Sequence, residues 1–222
     1  MKTEKISFSR RVLLGAAGAA LAVFAGLGAA APARAQNAVV PVEQLMAPPA
    51  LPDVWLGPAD APVTIVEYAS MTCSHCAAFH ATTFPALKSK YVDTGKARFV
   101  LREFPLDPLA TAAFMLARCS GDDKRNAVVD LLFSQQKNWA FTDKPVEALA
   151  TLLKQTGMGQ EAFEACLKNQ DLYNNVNKVR DQASKDFGVS ATPTFFFNGK
   201  KQSGELSPEA LDKLMEPLLS KG

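Results

Sequence analysis

Strand-forming patterning in this chain is confined to two places, separated by a long stretch that carries only helical periodicity. Val63-Thr64-Ile65-Val66-Glu67-Tyr68 and Ala97-Arg98-Phe99-Val100-Leu101-Arg102-Glu103-Phe104 are apolar runs of strand length, and the pattern predicts strands over Pro62–Ala69 and Ala97–Phe104. Between them a helix is expected from Cys73 to about Tyr91, kinked at Pro85 and closed off by Gly95. From Leu109 to Phe187 apolar residues recur at helical spacing, as in Val128, Val129, Leu131, Leu132 and Phe133. Gly121, Pro145, Gly157 and Gly159 divide this block into four or five helices, with Asp171 the expected N-cap of the last. Strand character returns only at Thr194–Phe197. The Asn198-Gly199 turn, a second strand over Lys200–Gly204 and a helix from Ser207 to Leu219 complete a hairpin and helix. The order is strand-helix-strand, helical block, strand-strand-helix: an α/β fold interrupted by an all-helical insertion.

Cys73-Ser74-His75-Cys76 sits at the junction of the first strand and its helix. A thiol at a helix start faces unpaired backbone N–H groups and the positive end of the helix dipole, and both favour thiolate over thiol. His75, inside the motif, can add a cationic or hydrogen-bonding imidazole. Cys73 is therefore expected to be the exposed, attacking thiol. Cys76, one turn further in, is expected to be more buried and less acidic, closing the ring once Cys73 has reacted. A structural zinc site would need four ligands; His80 is the one other candidate nearby, and it reads as a helix-face residue. No metal is expected.

Residues 1–35 set the compartment. Basic Lys2, Lys5, Arg10 and Arg11 precede an uncharged Ala/Gly-rich run, and Ala33-Arg34-Ala35 supplies small residues for cleavage, the tripartite pattern of an export signal. Ser9-Arg10-Arg11-Val12-Leu13-Leu14 also resembles a twin-arginine signal, leaving either export route open. Both routes lead to an oxidising compartment, the bacterial periplasm. Removal of this segment takes away five basic groups (Lys2, Lys5, Arg10, Arg11, Arg34) and one acidic group (Glu4), leaving 187 residues with 19 basic against 21 acidic groups. Nothing in that balance attracts nucleic acid, and the length suffices for one domain with its own core. Residues 36–60, rich in proline and alanine, are expected to run as an extended arm, with Trp55 and Leu56 pinning its end.

Gly57 to Tyr68, Cys73 to Cys76 and Gly188-Val189-Ser190-Ala191-Thr192-Pro193-Thr194 together resemble the DsbA family of periplasmic thiol:disulfide oxidoreductases, over nearly all of Asp53 to Leu219. The resemblance implies a thioredoxin fold formed by residues 61–104 and 188–222, with residues 105–187 as the helical insertion. It implies that Cys73 is the nucleophile, Cys76 the resolving thiol and His75 the thiolate stabiliser. Pro193 would follow a cis peptide bond, with Thr192 and Pro193 meeting the incoming peptide. Glu67 resembles the family's buried proton relay; a carboxylate on an edge or paired with a lysine is the other reading of that position. The implied partners are reduced exported proteins and a quinone-linked, DsbB-like membrane reoxidase, with no bound cofactor and a monomeric enzyme.

Thr192 departs from the aliphatic residue that precedes the cis-proline in the best-known oxidases and resembles the isomerases, so a reductase or isomerase is the nearest alternative. The arm is too short for the dimerisation domain that isomerases carry. A chaperone-like holder of unfolded chains is the alternative from another class. Met71 and its neighbours are candidate apolar contacts for clients, or core. Cys119 and Cys166, both in the helical block, are either a structural disulfide or two buried thiols.

Overall fold

The computed structural model describes residues 39–220, so the export signal expected over residues 1–35 lies outside the described residues. Its centre is β1 (Val63–Ala69), in which all seven residues are buried. β1 pairs in parallel with β2 (Ala97–Glu103) and antiparallel with β3 (Thr194–Phe197), which pairs antiparallel with β4 (Lys200–Ser203), giving the order β2-β1-β3-β4. Burial on both faces explains why β1 and β3 read as continuous apolar runs rather than alternating ones. The β3–β4 turn has Asn198 at φ 46° and Gly199 at φ 83°, the left-handed geometry of the tight hairpin that Asn-Gly favours. A Cβ on Gly199 would lie 2.0 Å from the Val40 carbonyl oxygen, so glycine is also needed for the close approach of the N-terminal segment.

That segment is not a free extended arm. It opens with a one-turn helix, α1 (Val42–Leu45), and lies along both sheet edges. Val39 bridges to Lys200 of β4, and Leu56 exchanges two 2.8 Å backbone hydrogen bonds with Phe99 of β2. Asp53 supplies the carboxylate for Arg102, which is 2% exposed on β2 and also donates to the Leu45 carbonyl and the Tyr68 hydroxyl. A charge buried on this edge strand needs such partners, and this need fixes the segment against the body.

The helical run after β1 extends to Val92 and breaks beside Pro85, as that proline predicts. α2 (Ser74–Thr82) gives way to α3 (Phe84–Leu87), with Pro85 in the first turn of α3, and a π-helical turn (Lys88–Val92) follows. The helical block contains α4 (Pro108–Cys119), α5 (Asp122–Ser134), the single turn α6 (Gln136–Trp139), α7 (Pro145–Lys154), α8 (Gln160–Leu167) and α9 (Gln170–Phe187). α10 (Pro208–Leu219) closes the described chain. The N-cap of α9 is Asn169, not Asp171: its side-chain oxygen accepts from the Leu172 N–H at 3.0 Å. Asp171 lies inside the first turn, where its charge suits the dipole but cannot cap. Asn169→Ala is expected to cost about 1 kcal/mol, read as a lowered urea midpoint at unchanged slope.

The block is tied to the sheet by a buried charge cluster. Glu103, 1% exposed, accepts from Arg118 of α4 and Arg125 of α5, both at 2.7 Å. Burial alone would raise the Glu103 carboxyl, but the two guanidinium groups hold it below the usual carboxylate range. α5 and α6 are thereby set beside α2. Cys119 and Cys166 are joined, with Cα atoms 6.1 Å apart, linking the end of α4 to α8. Among the described residues no helix is long and apolar enough to cross a membrane.

Candidate active site

Cys73 is the N-cap residue of α2, with extended backbone (φ −79°, ψ 118°), so its side chain stands at the open end of the helix. Cys73 is 8% exposed and Cys76 0%, and neither is in a disulfide here. In this dithiol the Cys73 Sγ donates to the Thr192 carbonyl oxygen at 3.4 Å. The Thr192–Pro193 peptide bond is cis, which brings that carbonyl against the sulfur.

The two thiols have opposite acidities. A hydrogen bond from Cys76, helped by the Thr192 side chain and the backbone N–H groups of Cys76 and His75, lowers the Cys73 thiol to about 5 against the opposing effect of burial. Burial, the hydrogen bond to Cys73 and the negative charge of Glu67 push Cys76 far above the ordinary thiol range. Cys73 is not the exposed thiol expected, since the cis Thr192–Pro193 segment packs against it and leaves it 8% exposed; a thiolate just beneath the surface and a protonated thiol deeper in are still the arrangement that attacks once and resolves from within.

The His75 imidazole is turned outward. It is 62% exposed at the side chain and meets Glu205 through Nδ1 at 2.5 Å, so His75 reaches Cys73 through its backbone N–H and pairs its ring with the loop before α10. His75, Phe79, Thr82, Glu205, Leu206 and Pro208 line a cavity of about 430 Å³ between α2 and the start of α10. Met71 is 0% exposed and belongs to the core, which removes it as a client contact.

Glu67 is wholly buried in the middle of β1. Its partner is His80: Oε2 and Nε2 are 2.9 Å apart, and the His80 side chain is 4% exposed. The helix-face reading of His80 is corrected by this contact, because the face carrying Cys73, Cys76 and His80 turns inward over β1. The signal was available, since those three residues recur at helical spacing and a mid-strand carboxylate requires a partner. Burial alone would lower the His80 imidazole, yet Glu67 and, beyond it, Asp130 hold it up at about 9. Gln136 was not visible in the sequence. From α6 its amide donates to the carbonyls of Met71 (2.8 Å) and Cys73 (3.0 Å), clamping the loop that presents the motif.

The sequence profile of the family described as Thioredoxin matches residues 50–217. A Rickettsia conorii protein named "Putative protein-disulfide oxidoreductase" is 36% identical over 169 residues, spanning 74% of this chain and 61% of its own length. A Rickettsia felis protein of the same name is 39% identical over 175 residues, spanning 74% and 60%. The chain thus spans about six tenths of the length of the curated relatives it matches. Among solved structures, Wolbachia pipientis alpha-DsbA1 superposes with a TM-score of 0.74 at 29% identity, covering 80% of this chain and 96% of that one. BdbD from Bacillus subtilis shares the fold, with a TM-score of 0.65 at 21% identity over 84% of this chain and 98% of that one.

Proposed function

We propose that this chain, which belongs to the thioredoxin family and within it to the DsbA-type thiol:disulfide oxidoreductases, donates a Cys73–Cys76 disulfide to cysteine pairs of exported proteins. The observation that carries this reading is the opposed acidity of the two thiols, Cys73 at about 5 and Cys76 far above the ordinary range. A client thiolate attacks the Cys73 sulfur, the Cys73–Cys76 bond breaks, and Cys76 leaves and takes up a proton. A second client thiolate then attacks the client sulfur of the mixed disulfide and releases the Cys73 thiolate. Two electrons pass from the client to the enzyme. A stable Cys73 thiolate favours the reduced enzyme, so the disulfide form is the oxidant.

Thr192 and Pro193 bind the client backbone in strand-like fashion beside Cys73, His75 stabilises the site through its backbone N–H, and Glu67 handles the Cys76 proton. The dithiol is reoxidised by a quinone-linked, DsbB-like membrane partner without a bound cofactor. The enzyme acts as a monomer in the periplasm after loss of residues 1–35. The segment 36–60 precedes a thioredoxin domain formed by 61–104 and 188–222, and 105–187 is the insertion beside the site.

A second reading, reduction or isomerisation of client disulfides, rests on Thr192 before the cis-proline. Equilibration of the purified protein with glutathione buffers separates the two. The expected result is a potential more oxidising than about −200 mV; a value near −270 mV, the thioredoxin range, would overturn the oxidase reading.

A further inference from the structure

Cys76 has no exposure, so its proton needs a path to and from water. Glu67 is equally buried, so a carboxylate that accepts the Cys76 proton has still not brought it to water. The groups behind Glu67 supply a way out. His80 joins Glu67 through Nε2 at 2.9 Å, and its Nδ1 lies 3.7 Å from Asp130 Oδ1, a carboxylate of α5 whose side chain is 56% exposed. Two buried atoms in this array, Glu67 Oε1 and His80 Nδ1, have no hydrogen-bond partner among the described residues. They are the two ends of the pair. His80 and Asp130 line a cavity of about 420 Å³ with Pro85, Lys88, Leu131 and Ser134, on a different side of α2 from the cavity beside His75.

We infer that His80 is a positioning and proton-exchange residue acting on Cys76 through Glu67, and that the proton leaves and enters on the Asp130 side of α2. The inference rests on the reading of Cys73–Cys76 as the exchange pair and of Glu67 as the group that handles the Cys76 proton.

The steps balance without a proton crossing from Glu67 to His80. With the dithiol present, Glu67 is a carboxylate and His80 an imidazolium, a neutral ion pair in a core that tolerates no net charge. When Cys76 is to attack, its proton goes to Glu67. His80 then loses its buried counter-charge, and with Asp130 alone left to oppose burial the imidazole becomes more acidic and releases the Nδ1 proton toward Asp130 and the cavity. One proton has left Cys76 and one has reached water. When Cys76 is expelled as a thiolate it takes the proton back from Glu67, and His80 is recharged from the cavity. The charged groups facing His80 are Glu67 from β1, Asp130 from α5 and, at the cavity rim, Lys88, whose ammonium is held by Asp93 at 2.6 Å. Phe133 stacks on the imidazole with ring centroids 4.4 Å apart and Phe84 lies tilted against it at 4.7 Å, so apolar rings cover much of the remaining surface.

The test uses the reduced full-length protein and an aromatic disulfide reagent that releases one coloured thiolate when Cys73 attacks and a second when Cys76 resolves. For His80→Gln the first release is expected to be unchanged and the second slowed about a hundredfold, the lower end of what positioned proton transfer supplies. The pH profile of the second step should also lose its ionisation on the alkaline side. Asp130→Asn, a near-isosteric change at a half-exposed position, is expected to slow only the second release, by a few-fold. Equal slowing of both releases in His80→Gln, or an unchanged second release in Asp130→Asn, overturns the route. Slowing in Glu67→Gln without slowing in His80→Gln overturns His80 alone and leaves Glu67 in place. A first release that survives Cys73→Ser overturns the exchange reading itself.

Discussion

Replacing Cys73 by serine is expected to reduce disulfide exchange to the background of free thiols in solution, whereas Cys76→Ser is expected to keep the first attack and stall the second. A serine hydroxyl at the N-terminus of α2 has no accessible anion at neutral pH, while the Cys73 thiol, at about 5, is almost wholly thiolate there. In Cys76→Ser the mixed disulfide at Cys73 has no internal thiol to resolve it. It should accumulate as covalent adducts with client chains, visible by mass spectrometry and removed by reductant. Ultraviolet absorbance of the thiolate should titrate near pH 5 in the wild-type dithiol.

The same depressed acidity makes stability depend on pH with a definite sign. An unfolded thiol ionises at its ordinary value of 9.0 and the folded Cys73 at about 5. The folded dithiol therefore gains stability as pH rises between those values and loses it as pH falls through about 5. Cys76, pushed upward, stays protonated in both states across this window and contributes nothing to the slope. The oxidised protein has no thiol to titrate. The difference between the urea midpoints of the reduced and oxidised forms should accordingly widen from pH 5 toward neutrality, and a constant difference would contradict the assigned acidity.

The largest stability effect is expected from Cys119→Ala/Cys166→Ala. The bridge closes a loop with a sequence separation of 47, and constraining such a loop in the unfolded chain stabilises by up to about 4 kcal/mol in the chain-entropy account. That loop contains α5, α6 and α7, and with them Arg125, Asp130 and Gln136. The double variant should show a midpoint lowered by a large fraction of that amount, measured with the Cys73–Cys76 pair held in one redox state. A loss under about 1 kcal/mol would mean that the charge cluster around Glu103 already restricts the unfolded block.

Much of this fold is legible along the chain. β1, β2 and β3 are largely buried and read as mainly apolar runs, with the charges of Glu67, Arg102 and Glu103 the exceptions. Asn198-Gly199 identifies its own turn through its backbone preferences, and Gly121, Pro145, Gly157 and Gly159 all stand at helix ends. Where the reading failed, local signals competed. Asn169 and Asp171 are both good caps two residues apart, and only the chain direction entering α9 chooses between them. The proline-rich segment has no apolar period, yet it docks because the sheet has two edges to cover and Arg102 needs Asp53.

The sequence by itself determined the succession of strands and helices along the chain and the strand-to-helix junction that makes Cys73 a helix cap with an acid-favouring backbone, because these depend on backbone preferences and neighbours within a turn. The tertiary structure alone decided that Glu67 meets His80, that His80 meets Asp130, that Gln136 of the insertion holds the Cys73 carbonyl, and that His75 faces Glu205. Each of those contacts joins residues from different elements. Their geometry is set by how the helical block, α10 and the sheet pack around α2, and no local periodicity encodes it.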